Sequence, residues 1–349
     1  MAIKLAINGL GRIGRMCLRA SLENENVEVI AINGTTDAQS AAHLLKYDSI
    51  HGKIDSYIEA TDNEIIIDGR HIKFLSDRNP ANLPWGNLGV DVVIESTGKF
   101  NSGKECEVHL KNGAKKVIIT APAKDNIPTI VMGVNESTYI PETHHVISNA
   151  SCTTNCLAPV AKIIHDHFGI VSGLMSTVHA FTSDQRSLDN SHKDPRRSRC
   201  CVQSIVPTTT GAAKALGLVI PELKGKLNGI SLRVPVANVS LTDLVVELGR
   251  EVTAEEVNLA LYNAANGSMK GILEYCEEPL VSIDFLHNNH SAIVDALSTM
   301  VIDQRKVKIL AWYDNEWGYS CRVIDLAEYV GQKMITEESK SVLSKAVGH

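Results

Sequence analysis

Hydrophobic residues occur in short runs, separated by amphipathic or polar segments, along the first part of the chain. The runs typical of buried strands are residues 2–7, 27–33, 90–95, 117–120, 130–134 and 146–148. Helical spacing follows the first run as far as Leu22 and recurs in Ala42–Tyr47 and in 103–112. Residues 57–75 predict a hairpin that turns at Asp68-Gly69. Strands that alternate with helices predict a doubly wound parallel sheet, which binds ligands at the carboxyl ends of its strands.

The pattern changes near residue 152 to longer strands in which apolar and polar positions alternate. These strands are predicted at 173–179, 227–234, 239–248, 280–286, 291–302 and 306–313. They predict a largely antiparallel sheet in which 227–234 and 239–248 are neighbours. Helices are expected over 212–220, after a capping box at Thr253, and from about Arg322 to Lys333. We therefore expect an α/β first domain over residues 1–151, with the segment 316–349 packed back on it, and an α+β second domain over 152–315.

Three glycines form the pattern G-x-G-x-x-G between the first predicted strand and the first predicted helix. Gly9 allows a tight turn, Gly11 allows backbone to approach a pyrophosphate, and Gly14 allows the helix to pack on the strand. Backbone N–H groups near Arg12 and Ile13 would hold the diphosphate at the helix N-terminus. The strand and helix on either side favour a Rossmann-type dinucleotide-binding domain over an ordinary tight turn.

The second predicted strand ends in the residues INGTTD, where an NAD-binding domain usually carries an acid for the ribose 2′-hydroxyl. Position 34 is a glycine, so the repulsion that an acid would exert on a 2′-phosphate is absent. Thr35 and Thr36 could donate hydrogen bonds, although this turn contains no arginine or lysine. We expect the chain to accept NADP. The alternative is that Asp37 replaces the missing acid and that NAD stays preferred.

The stretch HHVISNASCTTN, residues 144–155, passes from a strand into a helix and places Cys152 at the junction. Pro159 is compatible with that helix only in about its first turn. Free N–H groups and the positive end of the helix dipole favour a thiolate at such a position. A free cysteine is, however, often a small buried residue without reactivity. On this stretch alone the two interpretations weigh equally.

Three later segments could hold anions. The loop 180–203 contains a cluster of arginines, which is either a solvated surface or a phosphate site. The residues PTTTG, 207–211, open a helix and are suited to an anion, although one threonine would suffice as an ordinary N-cap. Arg233 lies in the otherwise apolar strand LRVPV, where its partner is either a ligand phosphate or an internal carboxylate.

Composition limits the class of protein. The chain has 349 residues, 44% of them hydrophobic, and a formal net charge of −6, which gives no case for nucleic-acid binding as a main role. It has no apolar run of membrane-spanning length and no secretory signal pattern at its start, so a cytoplasmic protein without a membrane partner is expected. The eight cysteines lack paired zinc-type spacing, so no metal site is predicted.

Five motifs in order, INGLGRIGR, SNASCTTNC, PTTTGAAKA, LRVPV and WYDNEWGYS, closely resemble phosphorylating glyceraldehyde-3-phosphate dehydrogenase over nearly the whole chain. The resemblance is to the bacterial type that favours NADP. It implies that Cys152 attacks the aldehyde and that His179 takes the thiol proton and assists hydride departure. Hydride transfer leaves a thioester, which inorganic phosphate cleaves to give an acyl phosphate.

The resemblance also implies how ligands are held. The residues matched to the phosphate of glyceraldehyde 3-phosphate are Thr182, Arg233 and the nearby Arg197. Those matched to the attacking inorganic phosphate are Ser151, Thr153, Thr210 and Gly211. Those matched to the cofactor are Arg12 and Ile13 at the diphosphate, Arg78 and Thr97 near the adenine, Thr120 along its path, Asn315 at the carboxamide and Tyr319 near the nicotinamide.

Two positions depart from NAD-specific relatives, which carry an acid in place of Gly34 and often a proline in place of Ser191. In the family the loop around Ser191 reaches the cofactor of a neighbouring subunit in a homotetramer, and a serine leaves room and a donor for a 2′-phosphate. Both departures favour NADP over NAD. The alternatives are an erythrose-4-phosphate dehydrogenase and, outside enzymes, a dinucleotide-binding scaffold with moonlighting roles. The direction, glycolytic or gluconeogenic, stays open.

Overall fold

The structure is a computed structural model that describes residues 2–347, with side chains as far as residue 337. The chain divides into two compact units: residues 1–130, 136–150 and from Ser320 on in the first, and 131–135 with 151–319 in the second. Residues 348 and 349, part of the segment expected to pack on the first domain, lie outside the described residues. No helix of the described chain has the length and hydropathy needed to span a membrane.

The first unit is a mainly parallel sheet with helices between its strands. Its strands are β1 (Ile3–Asn8), β2 (Val27–Asn33), β3 (Tyr47–Asp48), β4 (Gly52–Lys53), β5 (Ile58–Ala60), β6 (Glu64–Ile67), β7 (Arg70–Leu75), β8 (Val92–Glu95), β9 (Lys116–Ile119) and β10 (Val146–Ser148). Its helices are α1 (Arg12–Ser21), α2 (Ala38–Lys46), α3 (Trp85–Leu88) and α4 (Gly103–Lys111). Within the described chain, eight of these strands form one sheet in the order β10-β9-β8-β1-β2-β7-β6-β5.

The antiparallel edge of this sheet is the hairpin that the sequence predicts. β6 pairs antiparallel with β7, and the turn between them has positive φ angles at Asp68 (48°) and Gly69 (80°). Two successive positive φ angles match the twist of the flanking strands in a two-residue hairpin. The other pairings from β10 to β7 are parallel, which confirms the predicted doubly wound sheet.

The second unit is built on a long helix and a mainly antiparallel sheet. Its helices are α5 (Cys152–Phe168), α6 (Ala212–Val219) and α7 (Ala254–Asn266). Its strands are β11 (Ile170–Ala180), β12 (Val206–Thr209), β13 (Leu227–Val234), β14 (Ser240–Leu248), β15 (Leu273–Cys276), β16 (Ala292–Ile302) and β17 (Lys306–Tyr313). Across residues 151–319, all of them described, seven strands follow the order β12-β13-β11-β14-β17-β16-β15. α5 packs against this sheet and against α6 and α7, and the predicted α/β plus α+β fold class is confirmed.

The last helix, α8 (Trp317–Val347), is longer than the predicted helix from Arg322 to Lys333. From Ser320 on it belongs to the first unit, where Glu328 accepts hydrogen bonds from Asn24 (2.7 Å) and Asn26 (2.9 Å). Gly331 lies so close to Ile3 that a Cβ there would be 2.5 Å from the isoleucine side chain. This close approach requires glycine at that point of the helix.

Three strand predictions were wrong. β13 and β14 are not neighbours, because β11 lies between them and pairs parallel with β13 and antiparallel with β14. Residues 280–286 contain a 3₁₀ turn, Ser282–Phe285, closed by a hydrogen bond from the Val281 N–H to Asp284 (2.8 Å). Residues 130–134 form a turn beyond an isolated bridge at Thr129, in which Asn135 accepts from the Val131 N–H (2.8 Å). Side-chain oxygens that bond to the local backbone compete with strand pairing in both segments.

Candidate active site

Cys152 is the first residue of α5, and Ser151 is the N-cap of that helix. The Ser151 hydroxyl accepts a hydrogen bond from the Thr154 N–H (3.1 Å). Ala150 precedes it with φ 56°, a left-handed conformation that costs a non-glycine residue about 1–2 kcal/mol. Strain of this kind is concentrated at functional turns. The half-buried Cys152 thiol therefore lies at the start of the helix, directly after this left-handed residue.

The position of Pro159 differs from the prediction. We expected Pro159 in about the first turn of a helix, but α5 already begins at Cys152 and Pro159 lies in its interior. A proline there cannot donate the usual i to i−4 hydrogen bond, at a cost of about 3 kcal/mol. The helix is kept by burial, because Leu157, Ala158, Val160 and most of their neighbours are inaccessible to solvent.

His179, the penultimate residue of β11, faces the thiol. Its Nε2 lies 3.5 Å from Cys152 Sγ, and its Nδ1 lies 2.7 Å from the Ala180 carbonyl oxygen. Nδ1 also lies 3.0 Å from Arg233 Nη1, and a guanidinium can only donate. With its proton on Nδ1, donated to the Ala180 carbonyl, the ring would present the Nε2 lone pair to the thiol. Burial lowers the pKa of His179 to about 3, and the neighbouring Arg233 lowers it further. The imidazole is therefore neutral and placed to accept the thiol proton.

The thiol itself does not match the lowered pKa that its place at a helix N-terminus predicts. Burial raises the pKa of Cys152 above its usual value, and the lowering by Arg233 and by the Thr153 backbone does not overcome it. A neutral thiol beside a neutral imidazole is the resulting arrangement. Transfer of the proton to His179 would therefore accompany attack by the sulfur rather than precede it.

Tyr313 lies beneath the pair and was not singled out from the sequence. Its ring meets that of His179 edge to face at 6.0 Å and 77°. Its hydroxyl lies 2.9 Å from Thr153 Oγ1 and 2.8 Å from Thr177 Oγ1. The alternation of β17 predicts an inward-facing residue at its end, but only the fold shows which side chains it meets. Tyr313 thereby connects α5, β11 and β17 under the catalytic pair.

Arg233, at the end of β13, has the environment of an anion-binding residue. Its Nη1 donates to the Ala180 carbonyl (3.1 Å) and lies 3.4 Å from Thr182 Oγ1. Its Nε is buried and has no hydrogen-bond partner among the described residues. Burial lowers the pKa of Arg233, but a guanidinium keeps its charge. A buried cation with a donor left over favours a ligand phosphate over the internal ion pair that was the alternative.

The arginine-rich loop is held by its own acids. Arg197 forms an ion pair with Asp184, and its Nε donates to Thr208 Oγ1 (3.0 Å). The same hydroxyl donates to Asp194 (3.1 Å). The charge of Arg197 contributes to the lowering of the His179 pKa, which places it within electrostatic reach of the catalytic pair.

The hydroxyl-rich start of α6 leaves its N-terminus open. Gly211 is the N-cap and has no side chain, and Thr210 Oγ1 accepts from the Ala212 N–H (3.2 Å). Both residues are partly or fully exposed. Free N–H groups at a helix start favour an anion.

The G-x-G-x-x-G segment lines a cavity of about 310 Å³ in the first unit. Gly9 has φ 101° and a Cβ there would lie 2.7 Å from the Thr97 nitrogen, so only glycine fits. A Cβ at Gly14 would overlap the Gly9 carbonyl oxygen at 2.0 Å, which explains the close packing of α1 on the turn. A Cβ at Gly11 would meet no atom within 4 Å, so open space lies over the helix N-terminus. This combination fits a dinucleotide diphosphate.

The structure brings only some of the predicted cofactor residues to this cavity. Those that line it are Gly9, Gly11, Gly34, Thr35, Arg78 and Thr97. Arg12, Ile13, Gly14 and Thr120 belong to the same unit but do not line it, and Ser191, Asn315 and Tyr319 belong to the second unit.

Several predicted ligand side chains are already engaged. Arg12 forms an ion pair with Asp48, whose pKa burial would raise but which the Arg12 hydrogen bond holds well below its usual range. Thr120 Oγ1 donates to the Glu95 carbonyl (3.1 Å). Asn315 Oδ1 accepts from Ser240 Oγ (2.7 Å), which orients the amide and leaves Nδ2 as a donor. Ser191 is exposed, and its N–H donates to Asn190 (2.7 Å).

Comparison with known proteins identifies the family. Residues 3–103 match the family model of the glyceraldehyde 3-phosphate dehydrogenase NAD binding domain, and residues 151–315 match that of the C-terminal domain. Glyceraldehyde-3-phosphate dehydrogenase of Geobacillus stearothermophilus is 59% identical over 333 residues, which cover 95% of this chain and 99% of the relative. Glyceraldehyde-3-phosphate dehydrogenase 2 of Bacillus subtilis is 57% identical, over 96% of this chain and 98% of the relative. Glyceraldehyde-3-phosphate dehydrogenase of Streptomyces coelicolor is 56% identical, over 96% of this chain and 100% of the relative. The chain belongs to the glyceraldehyde-3-phosphate dehydrogenase family.

Proposed function

We propose that this protein oxidises glyceraldehyde 3-phosphate to 1,3-bisphosphoglycerate, reversibly, with Cys152 as the nucleophile and His179 as the base. The observation that carries the proposal is the 3.5 Å approach of His179 Nε2 to Cys152 Sγ, with Nδ1 of the same ring 2.7 Å from the Ala180 carbonyl oxygen. With its proton on Nδ1, the imidazole can take the thiol proton on Nε2. Family membership supports glyceraldehyde 3-phosphate as the substrate, and the Cys152–His179 pair supports attack by a thiol on its aldehyde.

In the proposed reaction the sulfur attacks the aldehyde carbon while His179 accepts the thiol proton and returns it to the carbonyl oxygen, which forms a thiohemiacetal on Cys152. His179 next draws the proton of the thiohemiacetal hydroxyl as the carbon–hydrogen bond breaks, and the Cys152 thioester remains. Bound NAD or NADP supplies the hydride acceptor. A phosphate oxygen then attacks the thioester carbon and the carbon–sulfur bond breaks, so that the acyl phosphate leaves. The sulfur takes up the proton that His179 holds, and the proton of the attacking phosphate is released to solvent.

Two anions have to be held during this sequence. Arg233, with its unused buried Nε, and the adjacent Thr182 support a site for the substrate phosphate, with Arg197 nearby. Thr210 and Gly211 at the open start of α6 support the site of the attacking phosphate. Ser151 and Thr153 flank the cysteine in that second set and would contribute mainly backbone N–H groups, since their hydroxyls are engaged.

The cofactor residues proposed from the sequence remain Gly9, Gly11, Arg12, Ile13, Gly14, Gly34, Thr35, Arg78, Thr97, Thr120, Ser191, Asn315 and Tyr319. Among the second-unit residues, Asn315 is the best oriented, because Ser240 fixes its oxygen and leaves Nδ2 to bond a carboxamide oxygen.

We further propose that the protein uses NADP as well as NAD and favours NADP. Asp37, the acid that could have replaced the missing one at position 34, is taken up by α2, where it accepts from the Ser40 N–H (2.7 Å) and Ser40 Oγ (2.9 Å). Gly34 lines the cavity without a negative charge, and the exposed Arg78 lines it as well. These features support a site that tolerates a 2′-phosphate, and the donor at Ser191 is consistent with it.

A homotetramer in the cytoplasm is the assembly that we propose. On the outer face of the second sheet, Leu174 and Val245 are paired across β11 and β14 and expose 68% and 42% of their area. Leu297, Met300 and Ile302 on β16 are also more than half exposed. Exposed apolar groups of this extent are typical of subunit contacts. We also keep the domain boundaries 1–151 and 152–315, with 316–349 returning to the first domain, as a proposal.

The test is a kinetic assay that follows the reduced nicotinamide with glyceraldehyde 3-phosphate, inorganic phosphate and either cofactor. We expect phosphate-dependent turnover, and its loss in Cys152→Ala but not in Cys156→Ala, a buried cysteine one turn further along the same helix. Activity that survives in Cys152→Ala would refute the nucleophile. Faster turnover of erythrose 4-phosphate would favour the alternative enzyme, and cofactor binding without turnover of either aldehyde would favour a scaffold.

A further inference from the structure

A buried carboxylate lies behind the dinucleotide cavity. Glu95, the last residue of β8, is 2% exposed, and within the described chain its two oxygens meet four donors. Oε1 accepts from the N–H (2.9 Å) and the hydroxyl of Thr97. Oε2 accepts from Asn8 Nδ2 (2.5 Å) and lies 3.2 Å from His109 Nε2. Four donors fill the lone-pair sites of a carboxylate, so this side chain is fully paired.

His109 is oriented toward Glu95 by a third buried residue. Trp85 Nε1 lies 3.0 Å from His109 Nδ1, and an indole N–H can only donate. Nδ1 is therefore the acceptor, and the ring proton sits on Nε2, directed at Glu95. Trp85 and His109 are both 0% exposed, and neither lines the cavity.

On the other side of Glu95 the hydrogen bonds continue along the floor of the cavity. Asn8 Oδ1 accepts from Asn33 Nδ2 (2.8 Å), and Asn33 Oδ1 accepts from the Asp77 N–H (3.0 Å). Asn8, Asn33, Asp77 and Thr97 all line the cavity. Because β8, β1, β2 and β7 are consecutive in the sheet, this chain of side chains crosses the carboxyl ends of four neighbouring strands.

We propose that Glu95 is a positioning residue of the dinucleotide site. Its carboxylate fixes Asn8 on one oxygen and Thr97 on the other, and so holds the strand-end loops that would contact the cofactor, while Glu95 itself does not line the cavity. His109, which Trp85 orients, donates to the Glu95 carboxylate on the side away from the cavity and keeps it in place. A site that is preordered in this way loses less conformational entropy on binding. The inference rests on the proposed dinucleotide binding and adds the residue that prearranges it.

Glu95→Gln is the primary test. The amide has one oxygen and one NH₂, so its NH₂ must face either the donors of Thr97 or those of Asn8 and His109, and one loop is released. We expect the Kd for NAD(P)⁺, measured by calorimetry, and the cofactor KM to rise about 10- to 100-fold, as for a lost charged hydrogen bond. kcat at saturating cofactor should change much less, because Cys152 and His179 are untouched.

Substitutions of His109 separate positioning from a contact with the cofactor. His109 does not line the cavity, so a change of cofactor Kd has to act through a neighbour: Glu95, or Phe100, which lines the cavity and meets the His109 ring edge to face at 6.4 Å. Only the route through Glu95 depends on the His109 N–H donor. His109→Leu removes the donor and should raise Kd, whereas His109→Gln, which keeps an N–H donor, should recover part of the affinity. These variants also decide the matter if Glu95→Gln does not fold.

Ile118→Ala is the matched control for lost stability, because Ile118 is fully buried in the adjacent β9 and does not line the cavity. It should lower the melting temperature and leave Kd unchanged. If the folded Glu95 and His109 variants lose melting temperature as this control does and bind cofactor like the wild type, the network only stabilises the fold and the inference is wrong. A wild-type protein that binds neither NAD⁺ nor NADP⁺ would instead refute the proposed function.

Discussion

Replacement of Gly34 by aspartate should convert the protein to NAD specificity. Gly34 follows the last residue of β2 and lines the cavity, and its N–H donates to the Leu75 carbonyl (2.9 Å). Its φ is not in the left-handed region, so a side chain is compatible with the backbone. A Cβ at this position would lie 3.0 Å from Cζ of Phe74, the far end of a ring that has to shift by a few tenths of an ångström. The substitution therefore adds a carboxylate with modest steric disturbance.

The size of the effect follows from the charges. A carboxylate about 4 Å from one phosphate charge is repelled by about 1 kcal/mol in bulk water and about 4 kcal/mol near a protein surface. The cavity is open to solvent, so we expect a penalty for NADP within that range, which corresponds to about 5- to 1,000-fold in kcat/KM. With NAD the same carboxylate accepts a hydrogen bond from the ribose 2′-hydroxyl, which favours binding by about 1.5–3 kcal/mol.

The assay is the ratio of kcat/KM for NADP to that for NAD in wild type, Gly34→Asp, Gly34→Asn and Gly34→Ala. Asparagine has the shape of aspartate without its charge, and alanine makes only the contact with Phe74. The difference between Asp and Asn is the electrostatic part, and it should shrink as salt is raised. Equal ratios in Asp and Asn would refute the charge argument. A large NAD preference in the wild type would refute the proposed use of NADP.

Three further predictions concern the catalytic pair. His179→Asn should lower kcat by about 10²- to 10⁴-fold through loss of the general base, and near-normal turnover in the same assay would contradict that role. Tyr313→Phe removes the hydroxyl between Thr153 and Thr177 and should lower the free energy of unfolding in urea by about 1–3 kcal/mol; no change would mean that the two threonines find other partners. Burial holds the pKa of His179 at about 3 against an ordinary 6.5, so unfolding releases a site that takes up a proton. The contribution of the neutral His179 to the free energy of unfolding is therefore fully present above about pH 6.5 and is lost as the pH falls toward 3. At pH 5 the loss is about 2 kcal/mol. Between pH 6.5 and pH 5, the free energy of unfolding in urea should fall by about 2 kcal/mol more in the wild type than in His179→Asn. The same pH dependence in both proteins would contradict this assignment to His179.

The fold of the first unit was predictable because its signals are local. The G-x-G-x-x-G turn and the hairpin at Asp68-Gly69 depend on residues a few positions apart. The order of β13, β11 and β14 depends on contacts between strands that are distant in sequence. β13 and β14 were predicted to be neighbours because they are consecutive in sequence, but β11 lies between them. Partners that are distant in sequence were missed for the same reason. Tyr313 meets Thr153 across 160 residues, and Glu95 meets Asn8 across 87.

Two residues that the motifs assign to ligands, Arg12 and Thr153, already use their side chains in bonds within the protein. Motif resemblance assigns Arg12 to the cofactor diphosphate and Thr153 to the attacking phosphate, but Arg12 is paired with Asp48 and Thr153 bonds the Tyr313 hydroxyl. Both residues lie in the first turn of a helix, α1 or α5, where backbone N–H groups have no intrahelical partner. If those backbone N–H groups bind the ligands, the side chains of Arg12 and Thr153 act indirectly, through the hydrogen bonds that they form with Asp48 and Tyr313. Arg12→Met should then cost stability, because Asp48 keeps only its longer ion pair with Arg15 (4.0 Å), and should change cofactor Kd only slightly. A large loss of affinity at unchanged stability would instead show that the guanidinium is the ligand.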